Sequence, residues 1–214
     1  MNRRNTAPKR GIFIAIEGID GAGTTTQTAL LTAWLARCGI KAHRTAEPTG
    51  GPFGKHIRRL LRSRNSAIGG TNLLALLFAI DRLDHLEREI APALRNGTWV
   101  VSDRYRLSSL AYQGIDCDPK WVISINRYAI PPDITVLIDV SPKVAMGRLS
   151  SRGSARERFE SGSLLGKACE NYRELAASKK EGCIVLVNGS DTIEDVSRNI
   201  RGALISFFPT LLKK

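Results

Sequence analysis

A glycine-rich turn near the N-terminus has the residue types and the spacing of a phosphate-binding loop. Gly18, Gly21 and Gly23 permit the backbone angles of a tight turn. A short apolar run, residues 12–16, precedes them, and residues 24–34 follow with the spacing of an amphipathic helix. The N–H groups of such a turn and the positive end of a helix dipole suit a polyphosphate. The sequence therefore predicts a P-loop.

One position departs from the P-loop pattern G-x-x-x-x-G-K-[ST]. Thr24 occupies the lysine position, and Thr25 occupies the position of the magnesium ligand. A lysine would meet the β- and γ-phosphates with a point charge, whereas a threonine hydroxyl supplies a neutral hydrogen bond. The alternative is a structural glycine turn that binds nothing. The strand and helix on either side favour the nucleotide-binding interpretation.

A second set of polar residues follows the apolar run at residues 98–102. Asp103 ends this predicted strand, where a carboxylate beside a P-loop can hold hydrated Mg²⁺ together with Thr25. Arg104 carries a planar guanidinium that can bind a phosphate through two hydrogen bonds. Polar side chains then recur at helical spacing and can share one helix face: Ser108, Ser109, Tyr112 and Gln113.

A long apolar helix is predicted from residue 72 to the Asn-Gly pair at residues 96–97. Phe78 and Arg82 lie four residues apart on one face of it. Before it, residues 47–52 form a loop at the carboxyl end of a predicted strand, where α/β sheets bind ligands. If the helix face lines that loop, Phe78 is a plate for a base and Arg82 can hydrogen-bond its edge. Otherwise Phe78 belongs to the core and Arg82 to the solvated surface.

Five predicted strands alternate with helices, at residues 12–16, 41–46, 98–102, 134–140 and 183–187. This alternation predicts an α/β fold of three layers: a five-stranded parallel sheet with helices on both faces and the site at the carboxyl ends of the strands. We expect one domain over residues 11–214 and a flexible basic tail over residues 1–10. Asp191 and Glu194 have capping-box spacing at the start of the last helix.

The composition indicates the class of partner. A net charge of +12, from 32 Lys and Arg against 20 Asp and Glu, favours an anion such as a nucleotide, a nucleic acid or an acidic surface. The sequence argues against a nucleic acid as the partner, because aromatic and basic residues are not interleaved as in single-strand binders. No apolar run approaches membrane-spanning length, and the basic start lacks the apolar core of a signal peptide. Four scattered cysteines are expected to be free thiols, and the protein to be soluble and cytoplasmic.

Several stretches together resemble the thymidylate kinase family, P-loop enzymes that phosphorylate dTMP with ATP. They cover most of the chain in the family's order: FIAIEGIDGAGTTTQ (13–27), AEPTGGPFGKHIRRLL (46–61), LLFAIDR (76–82), DRYRLSSLAYQG (103–114), PPDITVLIDVSPKVA (131–145) and RERFE (156–160). The DRY…S…AYQ string is quite specific to the family, whereas the P-loop alone is shared with many NTPases.

The resemblance implies a P-loop NTPase fold, a homodimer, and transfer of phosphate from ATP to dTMP with Mg²⁺, giving dTDP and ADP. Thr25 and Asp103 would organise the metal. Residues that would bind dTMP are Asp20, Glu47, Pro48, Phe53, Phe78, Arg82, Arg104, Ser108, Ser109, Tyr112 and Gln113. Residues that would bind ATP are Gly18, Asp20, Gly21, Ala22, Gly23, Thr24, Thr25, Thr26, Arg148 and Arg152.

Individual roles also come from the resemblance. Asp20 would contact the 3′-hydroxyl of the deoxyribose and the phosphates. Phe78 would stack on thymine and Arg82 would reach a base carbonyl. Arg104 would hold the acceptor phosphate, and Tyr112 would lie under the sugar where a 2′-hydroxyl would clash.

The loop at about residues 150–162, SSRGSARERFE and its flanks, resembles the family's lid, although alone it would be a solvated basic linker. Members with glycine after the P-loop aspartate, here Gly21, are expected to bring a catalytic arginine from this lid. Arg152 or Arg156 would then cover part of the missing lysine's task, with Asp20 and Arg104 as the other catalytic residues. The alternatives are a kinase for another nucleoside monophosphate and a non-catalytic nucleotide-binding relative.

Overall fold

The computed structural model describes residues 10–63, 70–151 and 161–209, in which strands alternate with helices. The strands are β1 (Phe13–Glu17), β2 (Ala42–Ala46), β3 (Trp99–Asp103), β4 (Ile134–Asp139) and β5 (Ile184–Asn188). The helices are α1 (Thr24–Arg37), α2 (Pro52–Arg62), α3 (Thr71–His85), α4 (Ala91–Arg95), α5 (Arg106–Tyr112), α6 (Pro119–Ile125), α7 (Pro142–Ser150), α8 (Gly162–Ser178) and α9 (Ile193–Phe207). A π-helical segment, Leu86–Ile90, joins α3 to α4, and a 3₁₀ turn, Gln113–Ile115, follows α5.

The five strands form one sheet in the order β2-β3-β1-β4-β5, and every neighbouring pair is parallel. In this register Ile16 of β1 lies beside Asp103 of β3, and the amide of Arg104 donates to the carbonyl of Ile16 at 2.9 Å. The turn after β1 and the turn after β3 are therefore neighbours at the carboxyl edge of the sheet. This arrangement confirms the predicted five-stranded parallel sheet of an α/β fold.

Alternate residues of β1 pack on opposite faces of the sheet, which explains why this strand is apolar throughout. Ile14 and Ile16 belong to a large core cluster with residues of α1, α8 and α9 such as Leu31, Leu35, Leu165, Val196 and Ile200. Phe13 and Ala15 belong to a second cluster with Leu86, Ile90 and Leu94. Helices therefore cover the sheet on both sides, as three layers require.

The long helix predicted for residues 72–96 is present as α3, the π segment and α4 in continuous succession. Pro92 accounts for the change of helix type. Proline has no N–H to donate, and in a regular α-helix its ring would clash with the carbonyl of Arg88. The wider π turn just before Pro92 accommodates the ring without ending the helix.

The start of the last helix was predicted wrongly by one residue. Thr192, not Asp191, is the N-cap of α9: its Oγ1 accepts from the amide of Asp195 at 3.2 Å and donates to the Asp195 carboxylate at 2.7 Å. Asp191 instead accepts from the side-chain amide of Asn188, the last residue of β5. Both residue pairs have the same spacing, so spacing alone did not distinguish them.

Two predicted segments lie mostly outside the described residues. Residues 1–9 of the predicted basic tail are among them, and so are residues 152–160 of the predicted lid, with Arg152 and Arg156. That residues 11–214 form a single domain stays a prediction. In the described ranges no helix is both long and apolar enough to cross a membrane.

Candidate active site

The turn between β1 and α1 has the backbone of a P-loop. Gly21 and Gly23 have φ angles of +86° and +93°, which favour glycine, and Gly23 is the N-cap of α1. A Cβ added to Gly21 would lie 2.5 Å from the carbonyl oxygen of Ala145 in α7, so the turn also packs tightly. Thr24 begins α1 and is buried, while Thr25 and Thr26 are exposed at the helix N-terminus.

Two guanidinium groups contact the loop in the absence of the lysine. Arg104 donates to the carbonyl of Gly18 at 2.8 Å, on the side of β3. Arg148 of α7 donates to the carbonyl of Gly21 at 3.5 Å and to that of Gly189 at 2.8 Å. The loop therefore carries positive charge on two sides, although position 24 supplies none.

Thr25 and Asp103 meet at the end of β3, as predicted for a magnesium site. The hydroxyl of Thr25 donates to Oδ2 of Asp103 at 2.5 Å. Oδ1 of Asp103 is buried and has no hydrogen-bond partner among the described residues, so one acceptor is left for a cation or its water. No group of three or more His, Cys, Asp or Glu side chains in the described ranges is arranged to hold a metal. Two protein oxygens fit Mg²⁺, which keeps several waters and takes phosphate oxygens as further ligands.

Arg104 lies between the P-loop and the adjoining cavity. It has a φ of +67°, an uncommon conformation for a residue other than glycine, directly after β3 ends. Its Nη2 donates to Oδ1 of Asp20 at 2.8 Å. Burial alone would lower the pKa of Arg104, but the neighbouring Asp20 carboxylate outweighs that effect, and the pKa stays well above its ordinary value. The guanidinium is a permanent cation at the point where the two turns meet.

A buried carboxylate, Glu17, holds the turn that carries Arg104. It accepts from the amides of Tyr105 at 2.9 Å and Ser108 at 3.2 Å, and from the hydroxyls of Ser108 at 2.6 Å and Tyr172 at 2.9 Å. Burial raises the pKa of Glu17, and these donors and the charge of Arg104 oppose the increase. Four donors converging on one carboxylate fix the start of α5 against β1.

A cavity of about 240 Å³ extends from the P-loop edge into the protein. One end is formed by Thr25, Asp103 and Asp20, and the other by Phe78 and Arg82. The remaining lining residues are Ala46, Glu47, Pro48, Arg58, Leu61, Arg104, Tyr105, Ser108, Ser109, Tyr112 and Gln113. The structure thus brings the predicted metal end and the predicted base end into one continuous space.

Arg82 is held deep in this cavity by protein acceptors. Its Nε and Nη2 lie 2.9 and 2.8 Å from Oε2 of Glu47, and both side chains are at most 2% exposed. Its Nη1 donates to the hydroxyl of Ser109 at 3.0 Å and to Oδ1 of Asn126, and Nη2 also donates to the carbonyl of Tyr105 at 3.1 Å. A base carbonyl at this place would share Nη1 with Ser109 or displace its hydroxyl. The predicted contact of Arg82 with the base stays a prediction.

The loop before α2 is fixed by side chains from two helices. Asp81 of α3 accepts from the amide of Thr49 at 2.8 Å and from its hydroxyl at 2.6 Å. Arg58 of α2 donates to the carbonyls of Pro48 and Thr49, and the Glu47–Pro48 peptide bond is cis. Glu47 and Pro48 are therefore presented to the cavity by a well-anchored loop.

The structure brings together most of the predicted dTMP site but not all of it. Ten of the eleven predicted residues line the cavity, Asp20 and Arg104 among them, whereas Phe53 does not: it is exposed in the first turn of α2. Gln113 lines the cavity with its Oε1 buried and without a partner in the described part of the chain, so one polar atom is left for a ligand. The role of each of these residues stays a prediction.

Several residues that support the site were missed from the sequence, among them Glu17, Asp81, His85, Asn126 and Tyr172. Three of these could have been found from the sequence, because they are polar residues in apolar segments: Glu17 ends an apolar strand, and Asp81 and His85 lie near Arg82 in an apolar helix. Charged side chains are seldom fully buried unless they are paired. No sequence pattern indicates a role for Asn126 or Tyr172, since only tertiary packing brings them to the site.

The fold and this site define a nucleotide-binding protein of the P-loop class. The sequence model of the thymidylate kinase family matches residues 16–200. The chain is 43% identical over 201 residues to a probable thymidylate kinase of Thermococcus gammatolerans, an alignment covering 90% of this chain and 95% of the relative. It is 41% identical over 210 residues to a probable thymidylate kinase of Thermococcus kodakarensis, an alignment covering 94% of this chain and 98% of the relative. It is 36% identical over 181 residues to a thymidylate kinase of a Synechococcus species, covering 79% and 85%. The chain belongs to the thymidylate kinase family, and it is a phosphotransferase.

Proposed function

We propose that the protein transfers the γ-phosphoryl group of ATP to the phosphate of dTMP, giving dTDP and ADP. The single observation that carries the proposal is the continuous cavity from Phe78 to the Thr25–Asp103 pair, with Arg104 between its two ends. With its base at the Phe78 end of the cavity, dTMP would direct its phosphate toward Arg104. ATP bound to the P-loop would direct its γ-phosphate toward the same place. That is the geometry of an in-line transfer.

The chain's own groups act on the reactants by position and charge. The amides of the P-loop bind the donor phosphates, and Arg104 neutralises charge on the acceptor phosphate. Thr25 and Asp103 would hold Mg²⁺, which supplies charge neutralisation at the donor phosphates. No side-chain base is required, because the acceptor oxygen is already anionic. Alignment and electrostatic stabilisation therefore account for the catalysis.

Selectivity for a deoxynucleotide would come from the shape of the cavity. Phe78 presents a flat face to the pyrimidine. The ring of Tyr112 is buried beside Asp20, and in the proposed complex it would occupy the space that a 2′-hydroxyl needs. A nucleotide with that hydroxyl meets a steric block in addition to losing contacts.

The missing P-loop lysine is compensated by arginine in this proposal. Arg104 and Arg148 contact the loop from two sides. Arg152 or Arg156 of the predicted lid would supply charge at the transferred phosphoryl group, a role that can be worth about a thousandfold in turnover. A chain with Thr24 is then an active enzyme, not only a nucleotide-binding relative.

The active form is proposed to be a homodimer. Three apolar side chains on α3, Leu73, Leu76 and Ile80, are 51%, 40% and 43% exposed at helical spacing. Ile123 of the neighbouring α6 is 49% exposed. Exposed apolar side chains grouped on adjacent helices are typical of a protein interface, and a second copy would cover them through a two-fold axis.

We also propose that the protein works in the cytoplasm without a nucleic-acid partner. Its four cysteines are all free thiols in the structure, as expected in a reducing compartment. The charge excess serves nucleotide binding in this view.

The experiment that tests the function is ADP release from MgATP with dTMP, dUMP, UMP, CMP and AMP as separate acceptors. We expect dTMP to give the highest kcat/KM and UMP to be rejected strongly. Preference for another acceptor would indicate a different nucleoside monophosphate kinase. Binding of ATP and dTMP without ADP release would indicate a non-catalytic nucleotide sensor.

A further inference from the structure

A buried histidine, His85, lies directly behind the Glu47–Arg82 pair and outside the cavity lining. Its Nδ1 is 3.0 Å from Oε1 of Glu47, and its side chain is fully buried. Its Nε2 is 2.7 Å from the hydroxyl of Thr45 in the edge strand β2. The imidazole therefore connects the sheet edge to the carboxylate that holds Arg82.

The tautomer of His85 follows from its partners. The Glu47 carboxylate has only acceptor atoms, so the proton of a neutral imidazole lies on Nδ1 and is donated to Glu47. In this state Nε2 accepts from the Thr45 hydroxyl, which can act as donor or acceptor. The Nδ1 contact with Glu47 is therefore kept whether His85 is neutral or protonated.

A second acidic residue lies beside the outer face of His85. Oε2 of Glu89 lies 3.6 Å from Nε2 of His85, and Oε1 of Glu89 lies 2.5 Å from Nε2 of His43, a half-exposed side chain of β2. Burial raises the pKa of Glu89, but the hydrogen bond from His43 and the neighbouring imidazoles outweigh it and keep the pKa below its ordinary value. β2 and the π segment thus enclose the outer side of His85, and the ring cannot move away from Glu47 without breaking its hydrogen bond with Thr45 of β2.

Loss of the Nδ1 donor would change the orientation of Glu47 and, through it, that of Arg82 in the cavity wall. Oε2 of Glu47 is bound to Arg82, whereas Oε1 has His85 as its partner. The Glu47 side chain is 2% exposed, so water cannot replace a lost donor freely. A buried carboxylate oxygen without a donor is costly, and the side chain would rotate to share its remaining donors. Arg82 would then lose the geometry in which it contacts Ser109.

We propose that His85 is a positioning residue for the acceptor site: through its Nδ1 it fixes Glu47, and through Glu47 it fixes Arg82 at the base end of the cavity. This inference rests on the proposed function. It adds that acceptor affinity depends on one N–H group outside the cavity, while the ATP side of the site does not.

The test compares His85→Asn with His85→Gln, measuring KM for dTMP, KM for ATP, kcat, and the dissociation constant of dTMP by calorimetry. Asparagine places its amide N–H₂ near the Nδ1 position and keeps the donor to Glu47, whereas glutamine places it near the Nε2 position. We expect His85→Asn to keep the KM and the dissociation constant for dTMP within about threefold of wild type. We expect His85→Gln to raise both by about tenfold or more, as expected for loss of a hydrogen bond to a charged group. In both variants, kcat and the KM for ATP should change by less than about threefold.

The control is His56→Gln, the same change at a histidine of α2 that is not among the contacts described for this pair. It should leave the KM for dTMP unchanged. Equal effects of the two His85 variants, the reverse order, or parallel changes in the ATP and dTMP constants would overturn the proposal.

If either variant is unfolded by circular dichroism, Thr45→Val provides the second measurement. It removes the hydroxyl that contacts Nε2 and leaves the Nδ1 contact in place, so an effect on dTMP affinity as large as that expected for His85→Gln would contradict the Nδ1 assignment. Failure of the wild type to phosphorylate dTMP would instead refute the proposed function, since calorimetry measures acceptor binding independently.

Discussion

Tyr112 and Asp20 hold each other through two hydrogen bonds across the active-site cavity. The phenol of Tyr112 accepts from the amide of Asp20 at 2.9 Å and donates to Oδ2 of the same residue at 2.8 Å. The other oxygen of Asp20 accepts from Arg104 at 2.8 Å. One hydroxyl therefore joins the P-loop to α5 and, through Asp20, orients the guanidinium that we assign to the acceptor phosphate.

Tyr112→Phe removes this hydroxyl and keeps the ring. We expect a loss of about 1–3 kcal/mol in the free energy of unfolding, because the amide of Asp20 is left without its partner. Turnover should fall as Asp20 and Arg104 lose their orientation. Discrimination between dTMP and its ribose counterpart should persist, since the ring provides the steric block. Chemical denaturation and kcat/KM for the two nucleotides check this, and discrimination lost together with the hydroxyl would contradict the role given to the ring.

Asp103→Asn tests the magnesium site. The amide keeps the size of the side chain but removes the negative charge beside Thr25. We expect kcat to fall by about a hundredfold or more and the Mg²⁺ concentration for half-maximal rate to rise. The matched control is Asp139→Asn at the end of the next-but-one strand, β4, whose carboxylate pairs with Arg173 instead. A Mg²⁺ dependence unchanged in Asp103→Asn, or shifted equally in both variants, would count against the assignment.

Thr24→Lys tests the proposed compensation by arginine. Alone, the change should raise turnover only slightly, because lid arginine already supplies the charge. Replacing Arg152 and Arg156 by alanine is expected to lower turnover by roughly a thousandfold. In that double variant, Thr24→Lys should increase turnover by a factor at least about ten times larger than the increase it causes in the wild type. The four kcat values form a double-mutant cycle. Equal factors in the two backgrounds would mean that the lysine and the lid arginine act independently.

Leu76→Glu tests the proposed dimer. A charge in the middle of the exposed apolar face of α3 should convert dimer to monomer in size-exclusion chromatography with light scattering. Leu30→Glu on α1 is the matched control, because Leu30 is 37% exposed against 40% for Leu76. A wild-type monomer at micromolar concentration, or a dimer that survives Leu76→Glu, would argue against this interface.

The fold could be predicted because hydrophobic patterning and glycine position act locally. The apolar runs at β1, β3 and β4 and the turn at Gly18 to Gly23 each require one local structure, and the alternation of strand and helix then requires a parallel sheet. The exact ends of the helices were harder to predict than the elements themselves. Asp191 and Thr192 are equally plausible caps in sequence, and only the geometry of the turn after β5 selects Thr192.

Within the site, residues on the cavity wall were easier to predict than the residues that support them. Phe78 and Arg82 lie on one helix face, and that face does line the cavity. The contacts of Arg82 with Glu47 and Asn126 join distant parts of the chain, so local spacing carried no information about them. Polar and charged residues inside apolar segments, such as Glu17 and His85, were the only sequence signs of buried polar contacts.

The most direct test of the central claim follows the γ-phosphoryl group itself. ATP labelled at the γ-phosphorus is incubated with dTMP and Mg²⁺, and the products are separated by chromatography. The proposed function predicts label in the β-position of dTDP, in equal amount to the ADP formed, and almost none with Arg104→Ala. Label found in inorganic phosphate, or retained in ATP while both nucleotides are bound, would contradict it.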